Sequence, residues 1–87
     1  MFVKVYTQQH CPNCEELKNF LKNEGISFIE RNIDLDKLAQ KRAIEIGVCK
    51  VTDKKDIFLC STPAVEIGDK VLFGFTEETI KELRRLK

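Results

Sequence analysis

The chain has 87 residues, of which 43% are hydrophobic and 33% charged, values typical of a folded domain rather than of a disordered chain. The 15 basic and 14 acidic residues leave a formal net charge of +1, so no basic surplus predicts nucleic-acid binding. No apolar run approaches the roughly 18 residues of a membrane span, and the N-terminus lacks the apolar stretch of a signal peptide. We therefore expect one monomeric cytoplasmic domain over residues 1–87, with no membrane or nucleic-acid partner.

The N-terminal part of the chain changes from a strand pattern to a helix pattern within a few residues. Phe2–Thr7 is rich in β-branched and aromatic side chains and predicts a strand. From Cys14 onward the apolar residues recur at helical spacing. Gly25 predicts the end of this helix, because glycine readily adopts the left-handed conformation found there. The apolar face of the helix consists of Leu17, Phe20 and Leu21.

A second strand and a second helix are predicted next. Ile26–Ile33 predicts the strand, in which Phe28 alternates with polar neighbours. Asp34 or Asp36 predicts the N-cap of the helix, and Gly47 predicts its end. The residues that recur at helical spacing are Leu35, Leu38, Ala39, Arg42, Ala43 and Ile46.

The C-terminal part of the chain predicts two short strands and a last helix. The strands are Ala64–Ile67 and Val71–Phe73, and Gly68-Asp69 between them predicts a tight turn. Thr76 predicts the N-cap of the helix. Its apolar stripe consists of Ile80, Leu83 and Leu86.

The predicted element order is β-α-β-α-β-β-α, which indicates an α/β protein with a four-stranded mixed sheet flanked by three helices. The first two strands, joined by a crossover helix, should be parallel, and the last two, joined by a tight turn, antiparallel. Helices should cover both faces of this sheet. Residues 48–60 fit none of these elements and predict an extended loop or insertion. One form that this segment could take is a small hairpin around the polar tip Asp53-Lys54-Lys55-Asp56.

Cys11-Pro12-Asn13-Cys14 is the motif that carries chemistry. Two cysteines with this spacing can close a disulfide when the second lies in the first turn of a helix, and here they lie between a predicted strand and a predicted helix. Pro12 suits the first helical position, since the N–H that proline lacks would be unpaired there. The unpaired N–H groups and the macrodipole of a helix N-terminus lower the pKa of a thiol. Cys11 is therefore predicted to attack a substrate disulfide as a thiolate, and Cys14 to resolve the mixed disulfide.

Two further residues are candidates for the same site. His10 is the only histidine and directly precedes Cys11, so it is either a group that tunes the pKa of the Cys11 thiol or an exposed loop residue. Pro63 follows Thr62 just before the third strand. A Thr-Pro peptide bond in this position can be cis, and the alternative is a trans proline at the start of a strand.

Taken together, these segments make the chain resemble the thioredoxin superfamily, specifically its glutaredoxin and glutaredoxin-like branch. The resemblance covers nearly the whole chain and is carried by Val3–Thr7, Cys11–Cys14, Ser61–Val65, Gly68 and Gly74-Phe75. It implies a thioredoxin-like (glutaredoxin) fold, a cis Thr62–Pro63 bond packed against the cysteine motif, and thiol–disulfide oxidoreductase activity on disulfide-containing proteins. It also implies that such a substrate binds as an added strand, with Pro12, Asn13, Thr62, Pro63, Ala64, Gly74 and Phe75 as the substrate-binding residues.

The chain departs from part of that family in the residues that would bind glutathione as the upstream electron donor. Glutathione-using members resemble one another in a Gly-Gly-x-Asp stretch that holds the tripeptide, whereas this chain reads Gly-Phe-Thr-Glu over residues 74–77. Those members often have a basic residue three positions before the first cysteine, and this chain has Gln8. The chain is closer to the small redoxins that serve ribonucleotide reductase. This resemblance implies a thioredoxin reductase-like donor in preference to glutathione, and no cofactor besides the redox-active Cys11–Cys14 disulfide.

Cys49 and Cys60 bound the segment 48–60 and have three interpretations. They are accessory redox residues, which includes a disulfide between them, or they are small buried hydrophobic residues. The third interpretation is a metal-binding module in which they join Cys11 and Cys14 as four thiolates around zinc or an iron–sulfur cluster. The wide spacing of Cys49 and Cys60 and the helical preference of Pro12 disfavour the metal site. A non-catalytic interaction domain on the same fold is the remaining alternative.

Overall fold

The computed structural model describes residues 2–51 and 58–86, which form six strands and three helices. In chain order these are β1 (Val3–Thr7), α1 (Pro12–Asn23), β2 (Ile29–Asn32), α2 (Lys37–Glu45), β3 (Cys49–Val51), β4 (Phe58–Cys60), β5 (Ala64–Ile67), β6 (Lys70–Phe73) and α3 (Glu77–Arg84). No helix among these residues is long and apolar enough to cross a membrane.

Four of the strands form one mixed sheet in the order β2-β1-β5-β6, which confirms the predicted fold class. β1 and β2 are parallel, whereas β1 and β5, and β5 and β6, are antiparallel. β3 and β4 form a separate two-stranded sheet, in which Cys49 lies opposite Cys60. These two strands confirm the small hairpin predicted within residues 48–60. The polar tip predicted for this hairpin lies outside the described residues.

Helices cover both faces of the four-stranded sheet, as the prediction required. α1 and α3 lie on one face, where the buried cluster consists of Val3, Val5, Leu17, Leu21, Val65, Ile67, Leu72 and Leu83. α2 lies on the other face, where the buried cluster consists of Tyr6, Ile33, Ala43, Val48, Cys49 and Ala64. Because the second cluster includes Cys49 of β3, and Cys60 of β4 packs against it, the β3–β4 hairpin is anchored to the sheet beside α2.

The predicted apolar face of α2 is wrong at its N-terminal end. The N-cap is Asp36, whose Oδ1 accepts a hydrogen bond from the N–H of Leu38 at 2.9 Å. Leu35 therefore precedes the helix, and Leu35 and Leu38 are 72% and 71% exposed. The small residues Ala39 and Ala43 face the sheet instead. The reason is that the cap at Asp36 sets where the helix begins, whereas close packing of small side chains against the sheet sets which side of the helix faces it.

Two other predicted elements are longer than the observed ones. The second strand is limited to Ile29–Asn32, because Ile26 and Phe28 pack against the core beside α1 before the chain joins the sheet. α3 ends at Arg84, so Leu86 lies beyond the helix. The N-cap at Thr76 is confirmed, with Thr76 Oγ1 accepting from the N–H of Thr79 at 3.3 Å.

A buried carboxylate ties α2 to the sheet. Glu66 of β5 is 5% exposed, and it accepts hydrogen bonds from the hydroxyl of Tyr6 at 2.7 Å and from the guanidinium of Arg42. Burial by itself would raise the pKa of Glu66, but the bonds from Arg42 and Tyr6 outweigh burial and hold this pKa below its usual value. Burial and the neighbouring Glu66 raise the pKa of Tyr6 to about 12. The one sequence signal of this network is a single charge within the otherwise apolar strand β5.

Candidate active site at Cys11 and Cys14

A sharp turn after β1 brings Cys11 to the N-terminus of α1. His10 has a φ of +57°, in the left-handed region that few residues other than glycine adopt. Cys11 then returns to an extended conformation, with a φ of −115°, and is the N-cap of α1. The N–H of Gln9 donates to Oδ2 of Asp34 at 2.7 Å, which holds the turn against the segment before α2. His10 thus positions Cys11 through its backbone, while its side chain is exposed.

Cys11 caps α1 with its sulfur. Its Sγ accepts a hydrogen bond from the N–H of Cys14 at 3.2 Å, and its carbonyl oxygen accepts from the N–H of Glu15 at 3.2 Å. Pro12 begins the helix, as predicted, and leaves no N–H unpaired. An N–H directed at the sulfur and the positive end of the helix are the two features that stabilise a thiolate at such a position.

The sulfurs of Cys11 and Cys14 are joined as a disulfide, with the two Cα atoms 5.2 Å apart. Cys14 is 1% exposed, whereas Cys11 is half-buried. Pro12 and Asn13 between them are exposed. An approaching molecule therefore meets Pro12, Asn13 and the sulfur of Cys11, while Cys14 lies behind them.

The Thr62–Pro63 peptide bond is cis and lies beside the cysteine motif, as the family resemblance implied. Thr62 Oγ1 is 4.0 Å from Cys11 Sγ and donates a hydrogen bond to Gln8 Oε1 at 2.8 Å. Within the described residues, neither the N–H nor the C=O of Thr62 has a backbone partner. Pro63 is buried, and Ala64 is the fully buried first residue of β5.

Gly74 and Phe75 lie on the other side of Pro63. The N–H of Gly74 donates to the carbonyl oxygen of Pro63 at 2.8 Å, and its own carbonyl accepts from Thr79 Oγ1 at 2.9 Å. Gly74 has a φ of +79°, which favours glycine at this position. The ring of Phe75 packs against Phe20 of α1 with a centroid distance of 5.7 Å. Gly74 is thus joined to the cis-proline segment, whereas Phe75 is half-buried against the core.

Gln8 and the hydroxyl of Thr62 form a contact at the site that sequence reasoning missed. The sequence predicts Gln8 only as a neutral residue at a position that is often basic in glutathione-using members. It predicts Thr62 only as a substrate-binding residue. The two residues are 54 positions apart, and their contact depends on the antiparallel pairing of β1 with β5. No local pattern in either segment predicts it.

Lys18 of α1 is paired with two carboxylates near the site. Lys18 Nζ lies 3.0 Å from Glu15 and 3.1 Å from Glu30 of β2, and Glu30 also accepts from the hydroxyl of Thr7 at 2.8 Å. The hydrogen bond with Glu15, followed by that with Glu30, raises the pKa of Lys18. The charge of Lys18 is thus shared with two carboxylates, whereas the N–H of Cys14 at the helix N-terminus is directed at Cys11 Sγ itself.

Cys49 and Cys60 form a second disulfide across the β3–β4 pair. The four sulfurs are therefore joined as two separate pairs, with no free cysteine. Among residues 2–51 and 58–86, no three or more His, Cys, Asp and Glu side chains are grouped so as to hold a metal ion. This geometry does not bring the four cysteines together as the metal-binding alternative requires.

The comparisons with known proteins agree with this fold. A family model described as glutaredoxin matches residues 3–72. A glutaredoxin from Archaeoglobus fulgidus is 32% identical, over 95% of this chain and 85% of that one, with a TM-score of 0.69. The glutaredoxin-like protein NrdH-redoxin from Escherichia coli is 25% identical, over 95% of each chain, with a TM-score of 0.72. An uncharacterised glutaredoxin-like 8.6 kDa protein from Clostridium pasteurianum is 25% identical over 85 residues, or 93% of this chain and 95% of that one.

A thioredoxin-like fold with a cysteine pair at the head of its first helix defines the class of thiol–disulfide redox carriers. Within this class, the chain belongs to the glutaredoxin family, whose model covers 70 of its 87 residues, from residue 3 to residue 72. Glutaredoxin-like redoxins work in general with reductases and with disulfide-bearing substrates.

Proposed function

We propose that this protein is a dithiol oxidoreductase that reduces disulfide bonds of other proteins through Cys11 and Cys14. The observation that carries the proposal is the half-buried sulfur of Cys11 at the N-cap of α1, with the N–H of Cys14 directed at it from 3.2 Å. A thiol in this position has a lowered pKa, and the thiolate is the reactive form. Cys14 is buried behind it, where only Cys11 or a group bound to Cys11 can reach it.

The reaction transfers two electrons in two exchange steps. The thiolate of Cys11 attacks one sulfur of the substrate disulfide, forms a mixed disulfide with it, and releases the other substrate sulfur as a thiolate that takes up a proton. Cys14 then loses its proton and attacks the sulfur of Cys11. The Cys11–Cys14 disulfide forms, and the second substrate sulfur leaves as a thiol. The reduced substrate gains two electrons and two protons, and the redoxin is left in its oxidised form.

A protein substrate fits the surroundings of Cys11. The backbone N–H and C=O of Thr62 have no backbone partner within the described residues, so they can pair with an extended segment beside the reactive sulfur. Leu35 and Leu38 are exposed apolar side chains at the start of α2, and Asp34 connects this segment to the turn before Cys11. Unpaired backbone groups beside the sulfur, together with exposed apolar side chains, favour a folded protein partner over a small polar thiol.

Three features favour a protein reductase over glutathione as the electron donor. Gln8, at the position where a base would attract a carboxylate, is neutral and engaged with Thr62. Thr76, in the stretch after β6, uses its hydroxyl to cap α3, and no aspartate follows it there to bind the tripeptide. The Escherichia coli relative is described as a glutaredoxin-like protein with a thioredoxin-like activity profile.

The test offers the protein two reducing systems with insulin as the disulfide substrate. One contains NADPH and thioredoxin reductase, and the other contains NADPH, glutathione and glutathione reductase. We expect rapid NADPH oxidation with the first system and little with the second. Turnover with the glutathione system alone would contradict the proposed donor.

Two single variants test the roles of the cysteines. Cys11→Ser should abolish insulin reduction, because the attacking sulfur is gone. Cys14→Ser should retain the first step and accumulate a mixed disulfide, detected by mass spectrometry as a covalent adduct at Cys11. Insulin reduction by Cys11→Ser at the wild-type rate would contradict the proposed function as a whole and would favour a non-catalytic domain.

A further inference from the structure

The disulfide between Cys49 and Cys60 holds together a sheet of only two strands. Its register contains three facing pairs, of which Cys49 and Cys60 are the pair nearest the rest of the protein, with Cα atoms 4.0 Å apart. The N–H of Ser61 donates to the carbonyl of Val48 at 2.8 Å just beyond this pair. A two-stranded sheet is marginally stable in water without a further constraint. The disulfide supplies such a constraint at the base of the hairpin.

The two cysteines of this pair differ in burial in the same way as those of the active site. Cys49 is 2% exposed and packs in the cluster beside α2, whereas Cys60 is only partly buried against that cluster. Cys14 and Cys11 show the same arrangement of one buried and one half-buried cysteine. An external thiolate can therefore approach Cys60, with Cys49 as the buried leaving sulfur.

The pair is linked to the active site by the chain that follows it. Cys60 is the last residue of β4, and Ser61 alone separates it from Thr62, whose hydroxyl bonds to Gln8 and lies 4.0 Å from Cys11 Sγ. On the C-terminal side, the cis-proline segment is fixed by β5 and by the bond from Gly74 to Pro63. On its N-terminal side, it is fixed by the β3–β4 hairpin. The position of Thr62 therefore depends on whether this hairpin is closed.

We propose that Cys49 and Cys60 form a second redox centre, whose oxidation state controls the exchange rate at Cys11 and Cys14 through the position of Thr62. The controlled activity in this inference rests on the proposed function. The redox chemistry of the Cys49–Cys60 pair does not depend on that function. In the oxidised form the hairpin holds Thr62 against Gln8 and Cys11. In the reduced form the hairpin opens and the segment before Pro63 loses its fixed position.

The reductant is a dithiol, either a small molecule or the reduced Cys11–Cys14 pair of another copy. One of its thiolates attacks Sγ of Cys60, which forms a mixed disulfide and releases the sulfur of Cys49 with uptake of a proton. The second thiol of the dithiol then attacks the first sulfur of the dithiol, which is bonded to Cys60 in the mixed disulfide. Cys60 leaves as a thiol. Two electrons and two protons pass from the dithiol, which becomes a disulfide, to Cys49 and Cys60.

The first experiment tests the chemistry of the second pair without the active site. The variant Cys11→Ser/Cys14→Ser is equilibrated under native conditions with increasing ratios of reduced to oxidised dithiothreitol and is then alkylated. We expect both Cys49 and Cys60 to become labelled in the folded protein, in a single two-electron step that reverses on reoxidation. Labelling that requires denaturant at every ratio would show a purely structural disulfide and would overturn the proposal.

The second experiment tests the coupling to the active site. The variant Cys49→Ser/Cys60→Ser, which cannot form the disulfide of the hairpin, should reduce insulin more slowly than the wild type by a factor on the order of ten, because the backbone groups of Thr62 that pair with the substrate are misplaced together with its hydroxyl. Equal rates would overturn the coupling. If this variant does not fold, the titration of Cys11→Ser/Cys14→Ser still decides whether the second centre exists. A wild type that fails to reduce insulin while that titration succeeds would refute the proposed function and leave the second centre intact.

Discussion

Replacing Thr62 by valine removes the hydroxyl nearest the reactive sulfur while keeping the branched shape of the side chain. In the oxidised protein this hydroxyl donates to Gln8 at 2.8 Å and lies 4.0 Å from Cys11 Sγ. Reduction turns the sulfur of Cys11 into an anion, which is a stronger acceptor than the amide oxygen of Gln8. Rotation of the Thr62 side chain then directs its O–H at the thiolate. We therefore expect Thr62→Val to raise the pKa of the Cys11 thiol.

The size of the effect follows from the exposure of the sulfur. A hydrogen bond to a charged group contributes about 1.5–3 kcal/mol. Water replaces part of this bond because Cys11 is only half-buried, so we expect a loss of about 1 kcal/mol, or a roughly fivefold smaller thiolate fraction at acid pH. A thiolate of higher pKa is also more nucleophilic, with a Brønsted slope of about 0.4–0.5. The reaction rate should therefore fall only about twofold to threefold at acid pH and rise about twofold at alkaline pH.

The assay is the rate of alkylation of reduced Cys11 by iodoacetamide as a function of pH. All samples carry Cys14→Ser, and peptide mass spectrometry assigns the label to Cys11. The matched control is Thr62→Ser, which keeps the hydroxyl and should follow the parent protein. The signature is that the pH profiles of Thr62→Val and the parent cross. Profiles that coincide, or that differ by the same factor at every pH, would refute the proposed role of the Thr62 hydroxyl.

Three further predictions concern the residues that support the site. Glu66→Gln should lower the free energy of unfolding by about 2 kcal/mol at neutral pH, because the charge-assisted bond from Arg42 is lost. Because the pKa of Glu66 is depressed in the folded protein, its contribution to stability is present above the unfolded value of about 4.3 and is lost as the pH falls through the folded pKa. The free energies of unfolding of Glu66→Gln and the wild type should therefore converge at acid pH. His10→Val should lower stability by about 1–2 kcal/mol, because a β-branched residue is strained at the φ of +57°. Thr79→Val should cost about 1–2 kcal/mol, because the carbonyl of Gly74 loses its hydroxyl donor.

Urea unfolding followed by circular dichroism measures all three changes, and each has its own control. Arg42→Met leaves Glu66 buried without its cationic partner, so the pKa of Glu66 should rise and the variant should regain stability relative to the wild type as the pH falls. His10→Gly should be close to the wild type, because relief of the backbone strain offsets the greater freedom of the unfolded chain. Thr79→Ser should retain the donor to Gly74. A stability difference for Glu66→Gln that does not change with pH would contradict the role given to its charge.

Much of the fold is encoded in local patterns that can be read along the chain. The strand Ala64–Ile67 was predicted with its observed bounds, and the first strand differs by one residue, because alternation and β-branching are properties of a few neighbouring residues. The start of α1 at Pro12 and the cap of α3 at Thr76 follow from residues that suit the adjacent helical turn. Parallel and antiparallel pairing follow in turn from the length of each connection.

Apolar spacing alone gave the wrong answer for the start of α2. Leu35 and Leu38 match the helical period as well as Ala39 and Ala43 do, yet only the alanines face the sheet. The bond from Leu38 to Asp36 sets where the helix begins, and the packing of the sheet against small side chains sets its rotation. A periodic pattern does not distinguish these two sets of residues.

The chemistry available to this protein is encoded in local motifs: two cysteines around Pro12 at the head of a helix, and a proline before a strand far along the chain. Which groups meet at the sulfur depends on how the strands pair in the folded chain. Thr62 and Gln8 are 54 residues apart, and the partners Tyr6 and Glu66 are 60 apart. Both contacts exist because β1 pairs with β5, and the pairing of Cys49 with Cys60 exists because β3 pairs with β4. Strand pairing joins residues that share no local pattern, so their contacts become visible only in the folded chain.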